Sequence, residues 1–176
     1  RITGMLGDPV MQRMFELGRK AGNIAMRYIE IIRFQELDSG ALLAVIDPEA
    51  DVLALIAPHF SNRLPLENWM IYDRRRQKAV IHPAGKGWFL VEEVDERSVL
   101  EAEMSHEEAW YGELWKCFFK TLTIEARVNQ KLQTSLIPLK YRDFMKEFQN
   151  ESLREDCEKC QNKETKQEYE KQISQE

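Results

Sequence analysis

His59, Asn62 and Arg63, three polar side chains within five residues, are the part of this sequence best equipped for chemistry. An imidazole exchanges protons near neutral pH, and a guanidinium grips a phosphate or carboxylate with a two-pronged fork. They lie in Ala57–Pro58–His59–Phe60–Ser61–Asn62–Arg63–Leu64–Pro65, between an apolar helical pattern and the strand-like run Asn68–Asp73. The prolines predict a corner between elements, which is either a well-satisfied turn or a working surface. As a working site, His59 acts as acid–base, Arg63 holds a phosphate and Asp73 completes the polar set. The competing reading is that His59 only hydrogen-bonds the corner.

Cations form the second candidate. Arg74, Arg75 and Arg76, followed by Lys78, fall on an expected hairpin turn that can present several guanidinium groups to phosphate oxygens. Between Leu114 and Arg142 the residues Lys116, Lys120, Arg127, Lys131, Lys140 and Arg142 face one acid, Glu125, a local net of +5. Trp115, Phe119 and Tyr141 are interleaved with them, and charge beside flat rings is what single-stranded nucleic acid requires. The alternative is that the rings are buried and the lysines only solubilise.

Other chemistry finds little support. Cys157–Glu158–Lys159–Cys160 is a single CxxC in a polar tail, and His59, His82 and His106 stand in no ligand spacing with it, so no metal site is expected. There is no nucleophile elbow, and Cys117 falls in an apolar helix stripe, where a thiol is inert packing. Gly85–Lys86–Gly87 belongs to a hairpin turn, so neither a phosphate loop nor any other cofactor motif is present.

The elements that must position these groups belong to a chain of 176 residues that is 43% hydrophobic and 31% charged, enough for a sizeable core. A net charge of −5 excludes a uniformly basic nucleic-acid binder but allows a local basic face. No apolar run reaches the ~18 residues that would suggest a membrane span. Three cysteines make no disulfide framework, which points to a reducing, cytoplasmic setting. The chain opens at Arg1 without a signal-peptide pattern and is expected to be part of something longer.

Asp8–Pro9 starts a helix whose Val10, Met14, Leu17, Ala21, Ile24 and Tyr28 form a core-facing stripe, with Gly18 and Gly22 admitting a close neighbour. Ile31–Leu37 and Ala41–Ile46 flank Asp38–Ser39–Gly40 as a hairpin. Asp47–Pro48 opens a second helix, expected to end near Pro58. Asn68–Asp73, Lys78–His82 and Gly87–Glu92 complete the strands, giving two strands, a helix and three strands. Glu92–Glu108 carries eight acids against Arg97 alone and reads as an exposed linker, ending in a capping box of Ser105 and Glu108. The next helix has Trp110, Leu114, Cys117, Phe118 and Thr121 on one apolar face, followed by a helix capped by Thr123 and running to Gln133, then a last one over Leu139–Phe148. The expected fold is α+β: an antiparallel sheet of about five strands packed against helices, with a C-terminal helical segment. Residues 1–150 form the domain, and 151–176 a charged tail, helical or disordered.

Several of these stretches resemble one known family. Ile31–Leu37, Ala57–Pro65, Trp69–Arg75, Trp115–Phe119, Ile124–Asn129 and Pro138–Arg142 are similar to a bacterial family of uncharacterised proteins assigned to DNA metabolism and repair, a domain of unknown function. Its genes usually lie beside a DNA-repair radical S-adenosylmethionine enzyme, and the domain also occurs fused to uracil-DNA-glycosylase-like proteins of the UdgX type. The resemblance implies a further segment ahead of Arg1 and an accessory DNA-binding role beside a base-modifying or base-removing enzyme. Arg74, Arg75, Arg76, Lys116, Lys120, Arg127, Lys140 and Arg142 would then meet phosphates, and Tyr141 a base. A repair enzyme built on His59, Arg63 and Asp73, or a docking partner of the radical enzyme using the acidic run or the tail, are the alternatives. Ile24 and Met26 stand where family members often carry an acid and a histidine, so an activity resting on that pair is not expected here.

Overall fold

The computed structural model describes residues 7–100, 102–142, 144, 145 and 148, and the expected 151–176 tail, including Cys157 and Cys160, lies outside them. The chain divides into two compact units, Arg1–Ser105 and His106–Glu176.

The first unit opens with helix α1, Pro9–Ile31, where Asp8 accepts from the Val10 N–H at 2.8 Å and Pro9 fills the first helical position. Its apolar stripe divides along its length: Ile24, Ala25, Tyr28 and Ile31 are buried, whereas Val10, Met14 and Leu17 are exposed. Gly18 and Gly22 likewise face open space rather than a close neighbour. Strands β1 (Gln35–Glu36) and β2 (Leu42–Ile46) form the expected hairpin, and Gly40 takes the left-handed φ of 75° that its turn demands.

Helix α2 spans Leu53–Arg63, which corrects two boundaries. It begins five residues after Pro48, and it runs straight through Pro58 instead of ending there. A proline inside a helix removes one hydrogen bond and costs about 3 kcal/mol. Against that cost Leu53, Ile56, Ala57 and Phe60, one helical stripe, are all buried. Full burial of each large member gains about 1.5–3 kcal/mol, so the stripe wins.

Strands β3 (Trp69–Asp73), β4 (Lys78–His82) and β5 (Phe89–Val91) follow, and the sheet order is β1-β2-β3-β4-β5. The sheet is mostly antiparallel, the exception being β2 and β3, which the intervening helix leaves parallel, with Ile46 opposite Asp73. Register places Trp69 opposite His82 and Ile71 opposite Val80 on one face, and Tyr72 opposite Ala79 on the other.

The second face has its own cover. Glu92–Ser105, expected as an exposed linker, is instead a strap containing the short helix α3, Glu96–Leu100. Val94, Val99 and Ala102 of the strap pack on Leu43, Tyr72 and Ala79. Its far end ties to β1, since the Asp38 N–H donates to Glu103 O and the Ser105 N–H to Glu36 O. Tyr72 is fully buried beneath it, its hydroxyl has no hydrogen-bond partner among the described residues, and burial raises its pKa. Leaving such a hydroxyl unsatisfied costs about 1–3 kcal/mol.

The second unit consists of α4 (His106–Leu122), a 3-10 turn at Glu125–Arg127, α5 (Gln130–Leu136) and α6 (Leu139–Arg142). The α4 start follows Ser105 as expected. Helix α5 is capped not by Thr123 but by Asn129, whose Oδ1 accepts from the Leu132 N–H at 3.0 Å. The final helix is shorter than Leu139–Phe148. Cys117 lies within α4 and is half-buried. Among the described residues, no helix is long and apolar enough to cross a membrane.

Candidate functional site

Most of the anticipated corner, Ala57–Arg63, is helix, and His59, Asn62 and Arg63 are exposed on it. His59 and Arg63 lie one turn apart on α2, both exposed, with Asn62 between them. The His59 ring meets the edge of Phe60 at 5.1 Å, and Phe60 approaches Trp69 at 6.3 Å, so His59 belongs to the Trp69 end of β3. Asp73 ends the same strand, four residues or ~13 Å further on. The structure therefore does not bring His59, Arg63 and Asp73 together.

Asp73 has a different task. It is fully buried, and its carboxylate accepts from the Arg76 N–H at 3.2 Å and from the Arg76 guanidinium at 3.0 Å. That guanidinium also donates to Pro48 O and Glu49 O, each at 2.9 Å, so one side chain pins the β2–α2 connection onto the β3–β4 turn. Burial pushes the Asp73 carboxyl above its usual value, against the opposing pull of Arg76.

The other cations of the turn are also paired. Arg74 meets Glu96 at 2.9 Å, Arg75 meets Asp47 at 2.8 Å, and Lys78 meets Glu92 at 2.8 Å and Asp51 at 3.9 Å. The Arg74–Arg76 turn therefore offers no free guanidinium cluster in this conformation. The sequence pattern held a partial signal: the acids at 92 and 96 are the nearest dense opposite charge, and the Asp73–Arg76 spacing suits a turn.

In the helical unit the cations and rings separate into two groups. Lys116 is bound to Glu113 at 2.7 Å, and Arg142 turns inward to Ile137 O and Thr134 Oγ1. Tyr141 is 6% exposed, so its ring is not available to stack on a base, and Lys140 lies over it at 5.0 Å. Arg127 and Lys131 are exposed, and the ion pairs among the described residues do not engage them. The side chains of Lys120 and Phe119 lie outside the described ones. Of the α4 face expected in the core, Leu114, Phe118 and Thr121 are exposed and Trp110 and Cys117 half-buried; Tyr111, Trp115 and Leu122 beside it are also exposed, and Trp115 and Phe118 lie 5.8 Å apart.

A polar constellation the sequence did not reveal sits at the other end of the sheet. His82 is 1% exposed, stacks on Trp69 at 5.0 Å, and places Nδ1 3.1 Å from Glu67 O. Phe34 and Phe60 close around Trp69, whose indole N–H has no hydrogen-bond partner among the described residues. This is a packing hub. Among the described residues no group of His, Cys, Asp and Glu is arranged to hold a metal.

A family model described as a domain of unknown function, DUF4130, matches residues 1–147. The chain belongs to this family. The DUF4130 match runs through both compact units and stops where the composition turns to charged and amide residues. No curated protein and no solved structure gives a significant match. The family assignment carries no reaction with it.

Proposed function

We propose that this DUF4130 chain is an accessory, non-catalytic domain of DNA metabolism that binds nucleic acid beside a base-modifying or base-removing enzyme. The observation that carries the reading is the exposure of Tyr111, Trp115 and Phe118 on α4, in the same helical unit as the exposed Arg127 and Lys131. Rings open to solvent can stack on unpaired bases while cations neutralise the backbone. The resemblance to proteins encoded beside a DNA-repair radical S-adenosylmethionine enzyme, or fused to uracil-DNA-glycosylase-like proteins, supplies the context. The enzyme alternative gains no support from Asp73, which is fully buried and held by Arg76.

Binding of labelled single-stranded and duplex DNA across a salt series tests this. Joint replacement of Arg127 and Lys131 by alanine should weaken single-strand binding and flatten the salt slope by about 1.4, at ~0.7 per phosphate contact. Trp115→Ala should cost about 1–3 kcal/mol of affinity where a base stacks on it. Affinity indifferent to salt, or no binding at about 50 mM salt, overturns the reading.

Leu114 and Leu122 favour a second reading, because they extend the same α4 face with aliphatic surface that bases do not need. A face of that kind suits a protein, here the radical S-adenosylmethionine enzyme. Stable co-purification of the two proteins, lost in Leu114→Glu, would favour docking over stacking.

A further inference from the structure

The basic turn and the acidic strap belong to the same unit, and they are paired in a particular way. Two of the turn's cations, Arg74 and Lys78, are held by carboxylates of the strap, Glu96 and Glu92. Arg75 and Arg76 are held by residues outside the strap, and Lys78 has Asp51 as a second, longer contact at 3.9 Å. We infer that the strap is an internal competitor: Glu92 and Glu96 occupy the places that two backbone phosphates of nucleic acid would take on Arg74 and Lys78, masking a second, duplex-binding face. This rests on the nucleic-acid reading for the identity of the polyanion, while placing it on a different surface.

Three features make the mask displaceable. The pairs are open to water: Glu92 is 72% and Arg74 47% exposed in their side chains, where exchange of one anion for another costs little. The strap's hold on the sheet is apolar, through Val94, Val99 and Ala102, and its far end is tied by backbone bonds to β1. Glu92 and Glu96 can therefore swing away while the strap stays seated. Glu93, where the strap leaves β5, takes a left-handed φ of 57°, an uncommon conformation for a residue with a side chain, which stores local strain beside Glu92. The turn's own Gln77, at φ 52°, receives the Val94 N–H at 2.9 Å.

Glu92→Gln with Glu96→Gln tests the mask in the full chain, with a labelled DNA duplex as probe. The double variant should bind roughly three- to tenfold tighter than wild type, the range expected from freeing two exposed ion pairs. Its salt slope should steepen by about 1.8, at ~0.9 per additional phosphate contact on a duplex. Adding Arg74→Ala and Lys78→Ala should abolish the gain. Glu36→Gln with Glu67→Gln, two exposed acids outside the strap, changes net charge equally and should leave binding near wild type. An unchanged slope, a gain that survives loss of Arg74 and Lys78, or an equal gain in the control overturns the inference. Heparin binding without duplex binding assigns the face to another polyanion and also overturns it. The two proposals fail separately: loss of single-strand binding on α4 leaves a strap-dependent gain intact, and an unresponsive strap leaves binding through Arg127 and Lys131 intact.

Discussion

Arg76→Ala should destabilise the protein by about 3–5 kcal/mol near neutral pH, the usual effect of leaving a buried charge without its partner. Asp73 is fully buried, and the Arg76 guanidinium at 3.0 Å is its ion-pair partner, so the substitution removes that partner and leaves the backbone N–H of position 76 donating to it. The same guanidinium holds Pro48 O and Glu49 O, so the connection into α2 loosens as well. Urea unfolding followed by circular dichroism measures the loss, and a deficit under about 1 kcal/mol would show that the staple contributes no more than a surface pair.

The pH dependence has a defined sign. Burial raises the Asp73 carboxyl in the folded state, so its contribution to stability is fully present below the ordinary carboxylate range and is lost as pH rises through the raised value. Without Arg76 the orphaned carboxylate is hardest to accommodate when charged. The Arg76→Ala deficit should therefore shrink as pH falls and Asp73 protonates. Glu92 has the opposite sign, since Lys78 lowers its pKa and its contribution is lost as pH falls.

Trp69→Ala should cost about 3–5 kcal/mol, as for other buried aromatic truncations. Trp69 is 1% exposed and meets Phe34, Phe60 and His82, so its removal takes contacts from α2, from β4 and from the approach to β1. Trp69→Phe should cost less, because the ring is retained in part and, among the described residues, the indole N–H has no partner to lose. Thermal unfolding by far-ultraviolet circular dichroism distinguishes the two variants. Equal losses would mean that the indole N–H is satisfied in solution and contributes to the hub.

Local chemistry was readable wherever one residue type has one physical use. Asp8–Pro9 starts α1, Gly40 makes the first hairpin, and the alternation in Trp69–Asp73 and Lys78–His82 gives paired strands. Pro58 alone predicts a helix end, but the burial of Leu53, Ile56, Ala57 and Phe60, whose stripe crosses the proline, outweighs that backbone penalty. The candidate site fared less well. Arg74, Arg75 and Arg76 look like a phosphate grip because charge is countable along a chain, whereas the carboxylates that neutralise them come from positions 47, 73 and 96.

Periodicity and turn chemistry by themselves determined the α+β class, the five strands and the helix between the second and third of them, since these follow from interactions between near neighbours in the chain. Only the tertiary structure decided which apolar faces are covered and which charges are free. Val10, Met14 and Leu17 repeat the pattern of Ile24 and Tyr28 and yet are exposed, and the face of α4 expected in the core carries Trp115 and Phe118 into solvent. Burial and ion pairing depend on which distant segment arrives opposite a side chain, and no local pattern encodes that arrival.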